Sequence, residues 1–277
     1  RNFNYGIFEV EAATGKTRTV WSEERDVTNI RLSPDGKKLG FWVTGAEGGL
    51  FAVDLKSGKS KRIVHVPGPQ WRGYGGGSFD WSPDGRWLAY TRVEDNRARN
   101  VWIVSAKGGA AEKVTRLNAF HSQPTWGPGG QYLFCYSSRS GSGIYAIPLK
   151  REDARLGDTD IKFKKPGDDL KVEIDFKDIH RRIRRLHAKT GIESLAVTPK
   201  GEIIFGYRGD IYSLTYDGKT AKKLSTVGGN SLVRPYAGGS KASFVRKGEL
   251  YTTRLSGTSA GSKVSFTADW EHDVRAQ

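Results

Sequence analysis

A four-residue turn signature recurs along this chain, and no other feature constrains the fold as strongly. Ser33-Pro34-Asp35-Gly36 opens onto Lys-Lys-Leu-Gly-Phe-Trp-Val, and Ser82-Pro83-Asp84-Gly85 onto Arg-Trp-Leu-Ala-Tyr-Thr. Gly127-Pro128-Gly129-Gly130 and Thr198-Pro199-Lys200-Gly201 precede similar runs, and Ala237-Gly238-Gly239-Ser240 is a degenerate fifth copy. Pro pre-sets φ at the second turn position, and Gly accepts the positive φ that closes a hairpin. The flanking aromatic and β-branched residues favour strands. Each copy therefore predicts a tight hairpin between two strands.

A third strand is expected over 50–55, 100–105, 143–149, 210–215 and 249–255. A fourth is expected over 60–64, 111–115, 172–176, 221–225 and 263–267. Four antiparallel strands in roughly 40–45 residues form the unit of a propeller blade. Residues 6–10 and 16–20 read as the last two strands of a preceding blade. The expected fold class is all-β: a β-propeller of about six blades, the first incomplete, filling residues 1–270. The half blade covers 1–26, and the blades cover about 27–70, 71–117, 118–188, 189–228 and 229–270. A charged insertion at 151–170 is expected between the third and fourth strands of one blade, and 271–277 reads as a linker toward a further C-terminal domain.

Composition supports this reading. Hydrophobic residues make up 36% of the 277, enough for a real core. The 35 glycines are scattered without a three-residue period, so they signal turns rather than collagen. The single Cys135 lies in the apolar run Tyr132-Leu-Phe-Cys-Tyr136 and is expected to be a small buried hydrophobe, with no disulfide. No apolar run approaches the ~20 residues a spanning helix needs, so no membrane span is expected. The chain starts at Arg1 and contains no Met, which suggests a processed product or a fragment.

The net charge of +15 points to acidic partners: nucleic acid, anionic lipid or acidic peptides. The one dense basic cluster, His180 to Arg185, alternates with Ile179, Ile183 and Leu186. That pattern suits an ordered element rather than a nucleic-acid arm.

The Ser-Pro-Asp-Gly hairpins resemble the propeller repeats of TolB, of prolyl oligopeptidase and dipeptidyl peptidase, and of tricorn protease. The stretch from Lys171 through Ile174-Asp175-Phe176 to Leu186 resembles a segment of tricorn-type proteases, and the end from Val264 to Gln277 resembles that family's exit from its second propeller. The resemblance implies a non-catalytic domain of a large cytosolic serine peptidase, filtering or guiding oligopeptides to a protease core outside this chain. It implies peptides or protein partners, that core, and homo-oligomers through the parent protein. It implies no cofactor. Two alternatives remain: a TolB-like interaction propeller, with a periplasmic or secreted location, and the propeller of a prolyl-oligopeptidase relative.

No complete catalytic constellation emerges. Gly257-Thr-Ser-Ala-Gly261 matches a nucleophile elbow but lies between two strands, where the elbow needs a strand-to-helix turn. Gly73-Tyr-Gly-Gly-Gly77 precedes a strand, not the helix a phosphate cradle requires. Arg208-Gly-Asp210 is a turn into a third strand rather than an adhesion motif. The five histidines lack metal-ligand spacing. Inter-blade loops and inner strands surround a propeller's central channel, and Arg72, Tyr74, His121 and Arg234 occupy such positions. They are the candidate channel residues, arginine being suited to bidentate bonds with a carboxylate.

Overall fold

The computed structural model describes residues 5–11, 13–23, 25–66, 77–116, 118–154, 161, 163, 165, 167 and 169–265. Strands β1 (Tyr5–Val10) and β2 (Thr17–Glu23) form an antiparallel pair. Five four-stranded antiparallel sheets follow among the described residues. Blade 1 holds β3 (Val27–Leu32), β4 (Lys38–Val43), β5 (Gly49–Asp54) and β6 (Ser60–His65). Blade 2 holds β7 (Phe79–Trp81), β8 (Trp87–Val93), β9 (Arg99–Ser105) and β10 (Ala111–Lys113). Blade 3 holds β11 (His121–Trp126), β12 (Tyr132–Ser137), β13 (Gly143–Pro148) and β14 (Arg184–Ala188). Blade 4 holds β15 (Ile192–Val197), β16 (Ile203–Tyr207), β17 (Asp210–Leu214) and β18 (Ala221–Lys223). Blade 5 holds β19 (Asn230–Tyr236), β20 (Lys241–Arg246), β21 (Glu249–Arg254) and β22 (Ser262–Lys263). The chain is a β-propeller with five such blades and one two-stranded sheet, which corrects the expected count of about six. Among the described residues β1 pairs only with β2, so that first sheet stays at two strands.

The turn signature works as its chemistry suggests, with an extra layer. Gly36 and Gly85 take φ of 69° and 68°. Ser33 Oγ donates to Asp35 Oδ1 (2.6 Å) and accepts from the amide of Lys38 (2.9 Å), while Asp35 also accepts from the amide of Lys37 (3.1 Å). Ser82 and Asp84 repeat the pattern around Arg86 and Trp87. These side chains thus satisfy the turn's own amides, which is why Ser and Asp bracket the proline.

The inner strands β3, β7, β11, β15 and β19 lie side by side in that order. Tryptophans at their ends tie neighbours together. Trp81 Nε1 donates to the carbonyl of Arg31 (3.2 Å), and Trp126 Nε1 to that of Asp80 (3.1 Å). The core lies between blades. Trp42, Phe79, Leu88 and Tyr90 fill the space between blades 1 and 2, and Phe134, Ile203, Phe205 and Leu214 that between blades 3 and 4. Cys135 is fully buried, and burial pushes its thiol up to about 12.

The structure corrects one strand. The fourth strand of blade 3 is β14, not 172–176. The earlier segment is drawn onto blade 2 instead. The amide of Val172 donates to Asp84 Oδ2 (2.8 Å), and the rings of Phe176 and Trp87 meet edge-on at 5.8 Å. Ile179 and Ile183 join the same apolar cluster, and Arg182 donates to the carbonyls of Leu149 and Asp175. Residues 172–183 therefore act as a strap binding blade 3 to blade 2. Their β-type alternation reflects burial of one side against that joint, not sheet pairing.

Candidate functional site

The blades differ most where their inner strands begin, at the end opposite the Ser-Pro-Asp-Gly turns. Three of these strands carry a two-for-one bulge: two residues of β3 between Thr28 and Arg31 face one of β4, and β11 and β19 repeat this between Ser122 and Thr125 and between Ser231 and Arg234. β15 has a one-residue register shift at Glu193. The first bulged residue is left-handed each time: Asn29 at φ 51°, Gln123 at 54° and Leu232 at 52°. Left-handed backbone is costly for a residue such as leucine, and such strain concentrates at functional positions.

The bulges turn these residues into one shared space. Asn29, Gln123, Glu193 and Leu232 border a cavity of about 170 Å³ on the axis. Arg31 and Arg234 come from the strand position just after the bulge, and Arg99 and Ser78 from blade 2. Ser194, buried and with no partner for its hydroxyl among the described residues, borders the cavity as well. Cross-links hold the rim. The amide of Gln123 donates to Ser78 Oγ (3.0 Å), and Gln123 Nε2 to the carbonyl of Glu193 (3.3 Å).

Three charges meet there. Arg31 Nη1 lies 3.3 Å from Asp80 Oδ1, while Asp80 Oδ2 accepts from the amide of Trp126 (3.0 Å). Burial pushes the Asp80 carboxyl up, and Arg31 opposes that shift. Arg234 donates, among the described residues, only to the carbonyl of Val233 (3.1 Å). Burial, with Arg31 adding repulsion, lowers its guanidinium to about 10.

Of the four candidate channel residues, Arg234 lines the cavity. Arg72 and Tyr74 lie outside the described residues. His121 is fully buried at the start of β11 and does not line the cavity. Among the described residues neither of its ring nitrogens has a partner, and burial together with Arg139 holds it down to about 4. Sequence reasoning missed Arg31, Asp80, Gln123 and Glu193. A signal existed: Arg31 and Asp80 each stand two residues before a Ser-Pro-Asp-Gly turn, a place otherwise apolar or hydroxylic in Thr125 and Ala196. Among the described residues, no three His, Cys, Asp or Glu side chains gather as a metal would need. No helix among them is long and apolar enough to cross a membrane.

Axis, bulged inner strands and Ser-Pro-Asp-Gly hairpins define a four-stranded-blade propeller of the kind found in TolB and in tricorn protease. No family model matches the chain. It is similar to the Tol-Pal system protein TolB of Alcanivorax borkumensis, 38% identical over 61 residues, which cover 22% of this chain and 14% of that protein. It is also similar to TolB of Anaeromyxobacter dehalogenans, 31% identical over 115 residues, or 40% of this chain and 24% of that one. The matched segments thus span less than a quarter of either relative. Among solved structures, tricorn protease superimposes with a TM-score of 0.67 at 14% identity, over 92% of this chain and 28% of that one. TolB from Acinetobacter baumannii gives 0.64 at 14% identity, over 91% and 58%. At such identities the likeness is one of fold.

Proposed function

We propose that this chain is a binding propeller that holds a peptide or an extended protein segment over its axial cavity. The observation that carries this reading is the convergence of bulged, left-handed residues from β3, β11 and β19 on one charged space. A purely structural propeller has no need of that strain. The strap at 172–183 and the likeness to tricorn protease favour a role as the non-catalytic part of a larger serine peptidase, guiding oligopeptides to a core elsewhere. The cytoplasm is the compartment this role implies. A second reading, a TolB-like interaction module acting outside the cytoplasm, draws on the local identity to two TolB proteins.

The test is titration of a labelled random-peptide pool against the purified chain, followed by fluorescence anisotropy. Saturable binding that falls at least tenfold in Gln123→Ala is expected. Binding indifferent to every cavity substitution overturns the axial site. Peptide hydrolysis by the rigorously purified chain overturns the non-catalytic role. Fractionation of the source cells separates the two readings.

A further inference from the structure

We infer that the axial cavity is a carboxylate site, and that the face around it selects acidic peptide segments. This rests on the peptide-binding reading above and names the ligand that reading leaves open.

Charge accounting at the cavity gives the first reason. Arg31, Arg99 and Arg234 face it, with Glu193 on the wall and Asp80 directly behind. Among the described residues, three guanidiniums stand against two carboxylates there, so donors outnumber acceptors. Both oxygens of Asp80 are committed, one to Arg31 and one to the amide of Trp126. Glu193 Oε2 accepts from the amide of Gly209 (3.4 Å). A guanidinium carries five N–H donors in a planar fork, and Arg234 uses one bond to a backbone carbonyl. A buried cation held this way gains most from a planar monoanion that takes two parallel bonds. The cavity, at about 170 Å³, is smaller than the ~300 Å³ at which small-molecule pockets begin, and suits the end of one side chain or chain terminus.

The mouth gives a second, separate reason. On this face the hairpin turns between the second and third strands of blades 2, 3, 4 and 5 carry Arg97, Arg139, Arg208 and Lys247. Three of these are left-handed, at φ 63°, 49° and 51°. Arg208-Gly209 and Lys247-Gly248 are two-residue loops with positive φ at both positions, a turn that favours Asn, Asp or Gly at its first place. Turn geometry therefore does not account for a basic residue there. Two of the turns on this face also carry acids: Glu47 in blade 1, which Arg62 holds at 2.8 Å, and in blade 2 Asp95 together with Glu94, which Lys113 holds at 2.6 Å. A ring of cations around a narrow opening raises the local concentration of anionic ligands and speeds their capture.

The experiment uses the whole chain and four fluorescent hexapeptides with identical spacers: Glu-rich, Gln-rich and Lys-rich with amidated ends, and the Gln-rich peptide as a free acid. The Glu-rich peptide is expected to bind at least tenfold more tightly than the amidated Gln-rich one, with affinity falling as salt rises. If the α-carboxylate is the preferred group, the free-acid Gln-rich peptide shows the gain instead, and either pattern supports the site. Arg234→Gln is expected to reduce that tenfold preference to about unity. Should that variant fail to fold, the triple exchange Arg97→Gln, Arg208→Gln, Lys247→Gln lies on exposed turns. It is expected to slow association with the Glu-rich peptide several-fold. An amidated Gln-rich peptide that binds as tightly as both the Glu-rich and the free-acid Gln-rich peptides, or a preference for the Lys-rich one, overturns the carboxylate site and leaves peptide binding standing. A single-stranded oligonucleotide bound more tightly than any peptide overturns it in favour of phosphate. Failure of every peptide to bind removes the underlying reading, and the inference with it.

Discussion

The two ends of the inner strands follow different rules. At the Ser-Pro-Asp-Gly end, blades 1 and 2 repeat one solution nearly atom for atom, and blade 4 keeps part of it in the bond from the amide of Glu202 to Thr198 Oγ1 (3.0 Å). In blades 1 and 2 the turn's own Ser and Asp side chains answer its amides. At the bulged end the blades diverge: Asn29, Gln123, Glu193 and Leu232 stand at the shifted registers, and charges from four blades share one space. Repetition marks what the fold requires of every blade. Divergence on a strained backbone marks what the assembled ring does.

The largest effect is expected where the two ends are joined. Trp126→Ala removes a buried indole between blades and its bond to Asp80, and is expected to lower stability by about 3–5 kcal/mol in urea unfolding. A loss under 1 kcal/mol would show that the blades hold together without this link. Next comes pH. His121 stays neutral in the fold down to about 4, below the 6.5 of the unfolded chain. Above pH 6.5 neither state is protonated and no penalty applies. As pH falls below 6.5 the unfolded state takes up a proton that the native state refuses, so stability declines. By pH 5 the loss attributable to this residue is about 2 kcal/mol, and His121→Phe is expected to remove that slope. An unchanged slope would place the titrating group elsewhere.

Smaller effects separate the two ends more sharply. Ser82→Ala removes a fully buried hydroxyl and leaves the amide of Trp87 without its acceptor, and is expected to cost about 1–2 kcal/mol. At the other end the sign reverses. Leu232 is 60% exposed and left-handed, so Leu232→Gly sheds strain while giving up little burial. A gain of up to about 1 kcal/mol is expected, accompanied by weaker peptide binding. A stability loss from Leu232→Gly would mean that the bulge is not strained and would remove the contrast between the ends.

Legibility in the sequence follows the same division. The hairpins were readable because Pro, Asp and Gly act within four residues of one another. The strap was misread as a strand because alternation reports one buried side, and only the joint with Asp84 and Trp87 shows what buries it. His121 was expected just before an inner strand, facing the channel mouth; it is the first residue of β11, and alternation did not foretell that its ring turns into the protein and away from the cavity.

By itself the sequence determined the class of fold, since turn chemistry and strand propensity are local and repeat blade after blade. Only the tertiary structure decided the site. Arg31, Asp80 and Arg234 are separated by 49 and 154 positions along the chain. Their meeting depends on the order of blades around an axis and on bulges that shift four of the five inner strands by a residue. Neither leaves a mark in any short stretch of sequence, because both arise from packing one blade against the next.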